Sequence, residues 1–407
     1  MTQSKNRAPE AATPWTSGPT RYARIAQSPY FERAMEHIDP DCAAVAVYNH
    51  MYQLLHYGDP VAEYWALIEG VTLWDVANER QVEISGPDAR RFVQMLVPRD
   101  MNQCQVQQCK YVFITNANGG IIADPVLLRL ADDRFWISTA DADVHLWCQG
   151  LAANAGMDVT ITRPDVAPVQ IQGPKAKEVM VEVFGSSILD LGYYRLTETE
   201  YDGLELVVSR TGWSTEVGYE VYVADASANN NANAHRWWDI VMAAGESLGI
   251  RPIAPNHVRR IEAGILAHGC DISERTNPFE VDMGYAWMVD LDQPDDFIGK
   301  TALRTIRDAG PTRRLVGVDL SGPDMGTFTD GRMPAPLPVL VDGTEIGLVT
   351  SACWSPRLDR NIGYAMVPIE HAELGSTYQV AHPVLGTLDA IAVPKPHWDP
   401  ERTTPKV

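Results

Sequence analysis

The feature that most constrains the fold is a change of pattern at Gly310. Before it, short alternating segments typical of β-strands take turns with longer segments that have helical spacing. After it come only short strand-like segments, separated by Gly, Pro and Asp-Gly turns. We therefore predict an α+β region over residues 31–310 and a separate all-β barrel over residues 311–407.

The net charge excludes several classes of partner. The 407 residues carry 53 acidic and 33 basic side chains, which gives a net charge of −20. A surface that binds nucleic acid or an anionic membrane has to be basic, so we expect neither partner. A run of about 18 apolar residues, which a transmembrane helix needs, does not occur. An anionic ligand would need a local basic pocket.

The amino-terminal segment and the cysteines indicate the compartment. Residues 1–30 are rich in Pro, Ala, Ser and Thr and lack the apolar core of a signal peptide, so we predict a disordered tail. Six cysteines are too sparse for a disulfide framework in a chain of this length, and no histidine cluster completes a zinc pattern. We expect a cytoplasmic protein without a metal.

A carboxylate interrupts the apolar strand pattern of SRTGWSTEVGYEVYV, residues 209–223. In a regular strand Glu216, Gly218 and Glu220 share one face, and the glycine leaves room for a flat ring. A heterocycle with adjacent N–H donors would satisfy both carboxylate oxygens. A salt bridge to a neighbouring arginine also explains a buried charge and, from the residues alone, is the preferred interpretation.

Two further stretches carry candidate polar groups. Asp124 follows the predicted hairpin turn at residues 118–120, where it is either functional or part of a strand break made with Pro125. The predicted helix over residues 254–266 contains Arg259 and Arg260. One of these arginines could bind an anionic or carbonyl group, and a solvated helix face explains them equally well.

Polar aromatic residues are dense between positions 48 and 65. Aromatic faces attract onium cations by about 0.5–2 kcal/mol each. A cage for a cationic ligand and an aromatic corner of the core both fit this composition. The candidates for such a cage are Tyr48, His50, Tyr52 and His56.

Read in order, these stretches resemble the aminomethyltransferase superfamily, which comprises the glycine-cleavage T-protein and its tetrahydrofolate-dependent demethylase relatives. GGIIADP resembles the family's GGI-x-D turn, VQIQGPKA its QGP element, SRTGWSTEVGYEVYV its RTGYTGExGFE strand and RRIEAGILAHGCDI its RLEAG helix. The resemblance covers residues 40–395 and is closest to dimethylsulfoniopropionate demethylases. It implies a three-lobed folate-binding fold, with two interleaved lobes and the carboxy-terminal β-barrel as the third.

The resemblance also implies roles for individual residues. Asp124 falls on the family's active-site aspartate, and Glu216 on the glutamate that pairs with the pterin N–H donors of folate. Tyr48, His50, Tyr52 and His56 would border the methyl donor. The further folate-binding residues implied are Arg260, Tyr285, Trp287, Trp213 and Tyr219.

The implied function is a methyltransferase that moves a methyl group from an onium donor to N5 of tetrahydrofolate. Dimethylsulfoniopropionate is the preferred donor, and a quaternary amine, a methoxy-aromatic or an aminomethyl group from a glycine cleavage system are the alternatives. The KGCYxGQE motif of non-enzymatic folate-binding relatives is missing. The expected partners are small molecules, and a homodimer stays open.

Overall fold

The computed structural model describes residues 25–41, 44–327 and 336–407. Residues 1–24, most of the predicted tail, lie outside the described residues. Residues 25–30 pack onto the molecule, because Ala26 bridges to Met51 and Tyr30 is fully buried with its hydroxyl donating to the carbonyl of Ala167. Residues 25–30 of the predicted tail are therefore part of the packed structure.

Most helices of the described residues have twelve residues or fewer, and the longest of them, Ala228–Gly245, has 18 residues. Asp59 begins one of them by accepting hydrogen bonds from two backbone N–H groups of its first turn. In chain order they are α1 (Phe31–Met35), α2 (Pro60–Glu69), α3 (Ala89–Leu96), α4 (Val144–Ala155), α5 (Ala176–Phe184), α6 (Ala228–Gly245), α7 (His257–Glu262) and α8 (Lys300–Ala309).

The strands alternate with these helices until α8 and then follow one another. Up to α8 they are β1 (Ala44–Tyr48), β2 (Met51–His56), β3 (Thr72–Asp75), β4 (Gln81–Ser85), β5 (Gln108–Tyr111), β6 (Ile114–Thr115), β7 (Ile121–Ala123), β8 (Val126–Ala131), β9 (Arg134–Ser138), β10 (Thr160–Thr162), β11 (Val166–Gln172), β12 (Leu196–Tyr201), β13 (Leu204–Ser209), β14 (Gly218–Ala224) and β15 (Arg251–Pro252). After α8 come β16 (Arg313–Leu320), β17 (Leu337–Val341), β18 (Thr344–Ser355), β19 (Arg360–Pro368), β20 (Thr377–His382) and β21 (Gly386–Val393).

Two sheets form the first two lobes, and the chain passes between them. The first lobe is a five-stranded sheet in the order β10-β4-β9-β8-β5, whose apolar face packs on α3 and α4. The second is a six-stranded sheet in the order β12-β13-β14-β11-β3-β15, covered by α5 and α6. Since β3 belongs to the second sheet and β4 to the first, the chain passes from one sheet to the other between these two strands.

The third lobe is a closed six-stranded barrel in the order β16-β19-β18-β17-β20-β21. Its interior is filled by small and branched apolar side chains, among them Val318, Val339 and Ala365. Closure removes the exposed strand edges that an open sheet would leave. The predicted all-β module is therefore confirmed. No helix in the described parts of the chain is long and apolar enough to cross a membrane.

The predicted hairpin over residues 110–130 is divided into two pairs of strands. β5 pairs with β8 inside the first sheet, whereas β6 and β7 form a small separate ribbon. The break falls at Asp124 and Pro125, which lie between β7 and β8. Proline lacks the N–H that a continuing ladder would use, so the aspartate leaves the strand instead of alternating along it.

Gly120 in the β6–β7 turn tests how tightly this ribbon is held. A Cβ atom at Gly120 would lie 1.8 Å from the carbonyl oxygen of Glu274, whereas one at Gly150 in α4 would meet no atom within 4 Å. We expect Gly120→Ala to lower the free energy of unfolding by at least about 2 kcal/mol. Gly150→Ala, the control, should raise it by up to about 1 kcal/mol because alanine favours helices. Urea denaturation measures both, and equal stabilities would contradict the contact.

Candidate active site

Glu216 lies in the loop that precedes β14, not within the strand. Its Oε1 accepts a hydrogen bond of 2.8 Å from Nε of Arg259, and Arg357 of the barrel lies 3.9 Å from the same oxygen. The space next to Gly218 is filled by the side chain of Gln172, which a Cβ atom there would meet at 2.3 Å. The regular strand face and the open slot at Gly218 that the sequence suggested are therefore wrong, while the salt bridge is present.

The second carboxylate oxygen of Glu216 remains available. Among the described residues no hydrogen bond or ion pair reaches Oε2, although the side chain is only 5% exposed. Burial raises the pKa of Glu216, and Arg259 and Arg357 oppose that rise. A buried carboxylate with one oxygen in use and one free can still accept a hydrogen bond from a ligand, so the residue fits a pterin donor.

Helix α7 carries three buried charged side chains. Asn256 caps its start by accepting from the N–H of Arg259. Arg260 is fully buried and donates to Asp271 at 2.6 Å and to Ser351 of the barrel at 2.8 Å. The structure thus places Arg260 in an ion pair between α7 and the barrel and places its neighbour Arg259 against Glu216.

Asp124 is half-buried in the break between β7 and β8 and accepts a hydrogen bond of 3.0 Å from the hydroxyl of Tyr111. Burial raises the pKa of Asp124 to about 7, while the Tyr111 bond acts in the opposite direction. Asp271 raises it further and Arg260 lowers it. The carboxyl group is therefore divided between its protonated and ionised forms near neutral pH.

Sheet register brings Glu79 to the same edge as Asp124. Gln81 pairs with Ser138, and Ser138 pairs with Val126, so these three side chains share one face across β4, β9 and β8. Glu79 lies two residues before Gln81 and Asp124 two residues before Val126, at the same end of the strands. The hydroxyl of Ser138 lies 3.3 Å from the Glu79 carboxylate.

Glu220 of the second lobe completes this group, which we call the acidic pocket: Asp124, Glu79 and Glu220. Glu220 is buried and accepts hydrogen bonds from Gln170 at 2.8 Å and from Thr211. Burial raises the pKa of Glu79, and the charges of Glu220 and Asp124 raise it further. Burial also raises the pKa of Glu220. In the described parts of the chain, no Lys, Arg or His lies within 4.0 Å of any of the three carboxylates.

The sequence named Asp124 but missed Glu79 as a site residue. Extending the alternation by one residue before the start of the predicted strand at residues 80–86 would have placed the side chain of Glu79 on the same face as that of Gln81. The pairing of β4 with β9 and of β9 with β8 cannot be read from local sequence, however. Tyr111 and Arg357 were missed because their partners are distant in the chain, whereas Arg259 was named as a candidate without its partner Glu216.

Of the four aromatic residues predicted at the donor site, one, Tyr48, lies close enough to the acidic pocket for the charges of the pocket to act on its hydroxyl. Burial raises the pKa of Tyr48, and the charges of Glu79 and Asp124 raise it further. His50 points elsewhere and lies 3.1 Å from Asp143. The remaining two are Tyr52, which packs on Phe31, and His56, which is buried.

The predicted folate-binding aromatics occupy different environments. Trp213 is half-buried three residues before Glu216 and meets the ring of His257 edge-on at 5.5 Å. Tyr219 is fully buried in the core of the second lobe. Tyr285 and Trp287 are stacked at 5.9 Å and are more than half exposed. Trp213 is therefore next to Glu216 in the chain, and Tyr285 and Trp287 lie at the surface.

A continuous set of contacts connects the exposed aromatic pair to the acidic pocket. The guanidinium of Arg99 lies over the ring of Trp287 at 5.0 Å and donates to the carbonyl of Tyr111 at 2.9 Å. Tyr111 in turn bonds Asp124 through its hydroxyl. Within the residues described here, no group of three or more His, Cys, Asp or Glu side chains has a metal-binding arrangement.

Comparisons with known proteins agree with this architecture. Residues 40–293 match the model of the GCVT N-terminal domain, and residues 313–399 match that of the glycine cleavage T-protein C-terminal barrel domain. The crystal structure of the glycine cleavage system aminomethyltransferase T from Bartonella henselae superposes with a TM-score of 0.79, covering 91% of this chain and 97% of that one. At 20% sequence identity this likeness concerns the fold.

Curated relatives share more of the sequence. A dimethylsulfoniopropionate demethylase from Ruegeria pomeroyi is 36% identical over 83% of this chain and 88% of its own length. An aminomethyltransferase from Alkaliphilus metalliredigens is 30% identical over 79% and 84%, respectively. A trimethylamine-oxide aldolase from Ruegeria pomeroyi is 33% identical over 85% of this chain but only 44% of its own length.

The chain belongs to the glycine-cleavage T-protein family, and its homologues there include folate-dependent methyltransferases and aminomethyltransferases. It is accordingly a one-carbon transferase, with the three-lobed fold that the sequence resemblance implied.

The Tyr111 hydrogen bond gives a prediction for the titration of Asp124. This bond favours the ionised carboxylate, so Tyr111→Phe should raise the pKa of Asp124 above its value of about 7. NMR titration of protein with ¹³C-labelled aspartate measures the shift, and Asp124→Asn assigns the resonance by removing it. A pKa that stays unchanged or falls in Tyr111→Phe would contradict the arrangement.

Proposed function

We propose that this protein is a cytoplasmic, tetrahydrofolate-dependent demethylase with dimethylsulfoniopropionate as its methyl donor. The methyl group passes from the sulfonium to N5 of tetrahydrofolate, which yields 5-methyltetrahydrofolate and methylmercaptopropionate. The 36% identity to a dimethylsulfoniopropionate demethylase supports the reaction class. The choice of a cationic donor rests on the acidic pocket.

The acidic pocket is the observation that carries the proposal. Asp124, Glu79 and Glu220 have no cationic side chain within 4.0 Å among the described residues, and the charges of Glu220 and Asp124 raise the pKa of Glu79. Like charges gathered in a partly desolvated site are stabilised by a cation that enters it. A sulfonium or quaternary ammonium ion supplies that charge, and the ring of Tyr48 nearby supplies an aromatic face.

The chemistry needs little beyond positioning. The leaving group of a sulfonium methyl is a neutral thioether, and N5 of tetrahydrofolate is an uncharged amine near neutral pH. The C–S bond breaks as the N–C bond forms, with the C–S electron pair staying on sulfur and the positive charge passing to nitrogen. Holding the two reacting atoms about 3–3.5 Å apart and excluding water supplies most of the catalysis.

Asp124 serves this step in two ways. Its negative charge attracts the positive charge that moves from sulfur to N5. The methylated nitrogen then has to lose its proton, and a carboxylate whose pKa is raised to about 7 is matched to accept it near neutral pH. The cationic donor favours the ionised form of Asp124 before the reaction, because an opposite charge nearby lowers a carboxyl pKa.

Glu216 orients the acceptor. Its free Oε2 accepts hydrogen bonds from the amino and ring N–H groups of the pterin, while Arg259 holds Oε1 in place. Trp213, three residues earlier, offers an aromatic face next to that carboxylate. Glu216 therefore positions the ring, and Asp124 acts on the reacting nitrogen.

A donor panel tests the proposal. Purified protein with tetrahydrofolate is supplied with dimethylsulfoniopropionate, glycine betaine or a methoxy-aromatic, and 5-methyltetrahydrofolate is measured. We expect the highest kcat/KM with dimethylsulfoniopropionate, lower values with betaine and none with the uncharged ether, whose leaving group needs protonation. Activity that requires a lipoylated carrier protein would instead identify an aminomethyltransferase.

Substitutions at the two carboxylates should separate chemistry from folate binding. We expect Asp124→Ala to lower kcat by at least about 10²-fold while tetrahydrofolate still binds. We expect Glu216→Gln to weaken tetrahydrofolate at least about tenfold, because the amide presents N–H groups or a weaker acceptor to the pterin. Calorimetry measures binding, and turnover measures the chemistry. Full activity of Asp124→Ala, or unchanged affinity of Glu216→Gln, would remove that residue from its role.

A further inference from the structure

The turn between β18 and β19 brings an arginine of the barrel to Glu216. Nη2 of Arg357 lies 3.9 Å from Oε1 of Glu216, which is too long for a hydrogen bond, and Oε1 already accepts from Nε of Arg259 at 2.8 Å. Among the described residues, Glu216 is the only acidic side chain within 4.0 Å of Arg357, and no residue accepts a hydrogen bond from this arginine. Arg357 therefore acts on Glu216 through its charge.

An aromatic ring supports Arg357 at this place. Its guanidinium carbon lies 4.4 Å from the centroid of the Trp398 ring, which is within the range of a cation–π interaction. Trp398 belongs to the segment that follows β21, and its backbone N–H donates to the carbonyl of Glu262 in α7 at 2.8 Å. The barrel thus supplies the cation, and the segment after the barrel supplies a support that is tied to α7.

The charges around Glu216 balance only when Arg357 is counted. Arg259 faces two carboxylates, because its Nη1 also lies 3.6 Å from Oε2 of Glu262. The side chains of Arg259, Glu216 and Glu262 are at most 5% exposed. Arg357 adds a second cation, so that two arginines face two carboxylates. Without it, one buried negative charge would be in excess, and such a group takes up a proton.

Glu216 is the carboxylate of the two that would take up this proton. Glu262 accepts hydrogen bonds from the hydroxyls of Tyr64 at 2.7 Å and of Ser355 at 2.6 Å. Among the described residues, Glu216 accepts a single hydrogen bond, from Arg259. Fewer donors stabilise the charge of Glu216, so protonation costs less there.

The pKa of Glu216 depends on charged groups from two elements. Burial raises this pKa, while Arg259 of α7 and Arg357 of the barrel turn lower it. Glu262, also on α7, raises it. Removing Arg357 therefore raises the pKa of Glu216 and reduces its ionised fraction near neutral pH.

The position of the added proton matters for the acceptor. An ionised carboxylate offers both oxygens as hydrogen-bond acceptors, whereas a protonated carboxyl group carries a hydrogen on one of them. Since Oε1 of Glu216 is held by Arg259, that hydrogen would lie on Oε2, which is the oxygen left for the pterin. A proton on Glu216 would thus oppose the N–H donors of the ring.

We infer that Arg357 is a positioning residue of the acceptor site, whose charge holds Glu216 in the ionised form that accepts the pterin N–H groups of tetrahydrofolate. The inference rests on the proposed function, in which Glu216 orients the pterin. Arg357 needs no contact with the ligand for this role. The barrel accordingly takes part in acceptor binding through one charge, which Trp398 supports.

The test measures the affinity for tetrahydrofolate as a function of pH. Calorimetry on the whole protein, between about pH 6 and pH 9, compares the wild type with Arg357→Gln. Because the variant raises the pKa of Glu216, its affinity should fall at a higher pH than that of the wild type. We expect binding about tenfold weaker than wild type at the acidic end and nearly equal at the alkaline end. Asp124 titrates in both proteins, so the ratio of the two affinities isolates Glu216.

Two further variants separate charge from contact. Arg357→Lys keeps the positive charge and should restore most of the wild-type pH profile. Trp398→Leu removes the ring but keeps the backbone N–H that bonds Glu262, and it should move the profile in the same direction as Arg357→Gln by a smaller amount. Added to Arg357→Gln, Trp398→Leu should have no further effect, because the ring acts through the arginine.

Arg360→Gln is the matched control. Arg360 begins β19, three residues after Arg357, and it pairs with Asp319 at 3.3 Å. This substitution removes one positive charge from the same part of the barrel, and the pH profile of the affinity should stay unchanged. Thermal unfolding of each variant shows whether it is folded.

The outcomes distinguish this inference from the proposed function. A ratio of affinities that does not change with pH overturns the role of Arg357, because a lost ligand contact or general damage weakens binding at every pH. Failure of Arg357→Lys to restore the profile, or an equal shift in Arg360→Gln, also overturns it. The proposed function survives these results as long as the wild type binds tetrahydrofolate and methylates it. If the wild type binds none at any pH, the proposed function fails, and the role of Arg357 fails with it.

Discussion

The buried ion pairs of α7 are the interaction on which the arrangement of the second lobe and the barrel depends. In six residues this helix places two arginines and one glutamate where almost no water reaches them. Each charge has a partner in another part of the chain. Arg259 donates to Glu216 before β14, and Arg260 donates to Asp271 and to Ser351 of the barrel. Glu262 accepts hydrogen bonds from Tyr64 of α2 and from Ser355 of the barrel.

Removing one partner from such a pair leaves an uncompensated buried charge, which typically costs about 3–5 kcal/mol. The second lobe and the barrel are consequently held in one relative position more strictly than apolar packing alone would require. That rigidity has a chemical use, because methyl transfer depends on the alignment of two reacting atoms supplied by different ligands. The same network fixes Oε1 of Glu216 through Arg259 and leaves Oε2 for the acceptor.

Much of the fold could be predicted from sequence, because local patterns determined it. The change at Gly310 marked the barrel, and the family resemblance supplied the interleaving of the first two lobes. Asp124 and Glu216 were singled out as polar groups in apolar surroundings, which is a local signal. The regular strand through Glu216 was wrong because β14 begins only at Gly218, and the open slot was wrong because Gln172, 46 residues before Gly218, fills that space.

The partners of these residues could not be predicted, because they depend on register and on contacts between lobes. Glu79 and Asp124 lie at the same end of the first sheet only because β4 pairs with β9 and β9 pairs with β8. Arg357 approaches Glu216 from the turn between β18 and β19, about 140 residues later. Arg259 and Arg260 are adjacent and chemically identical, so only the direction of each side chain from the helix decides which one meets Glu216.

The charge distribution of the molecule carries a final implication for its ligands. At α7 three arginines face three carboxylates, so that region is balanced. The acidic pocket is unbalanced, because among the described residues no Lys, Arg or His lies within 4.0 Å of Asp124, Glu79 or Glu220. This excess of negative charge does not help the protein fold, because like charges repel and burial penalises each of them. A cation that occupies the pocket relieves both costs, and the proposed onium donor brings that charge to the site.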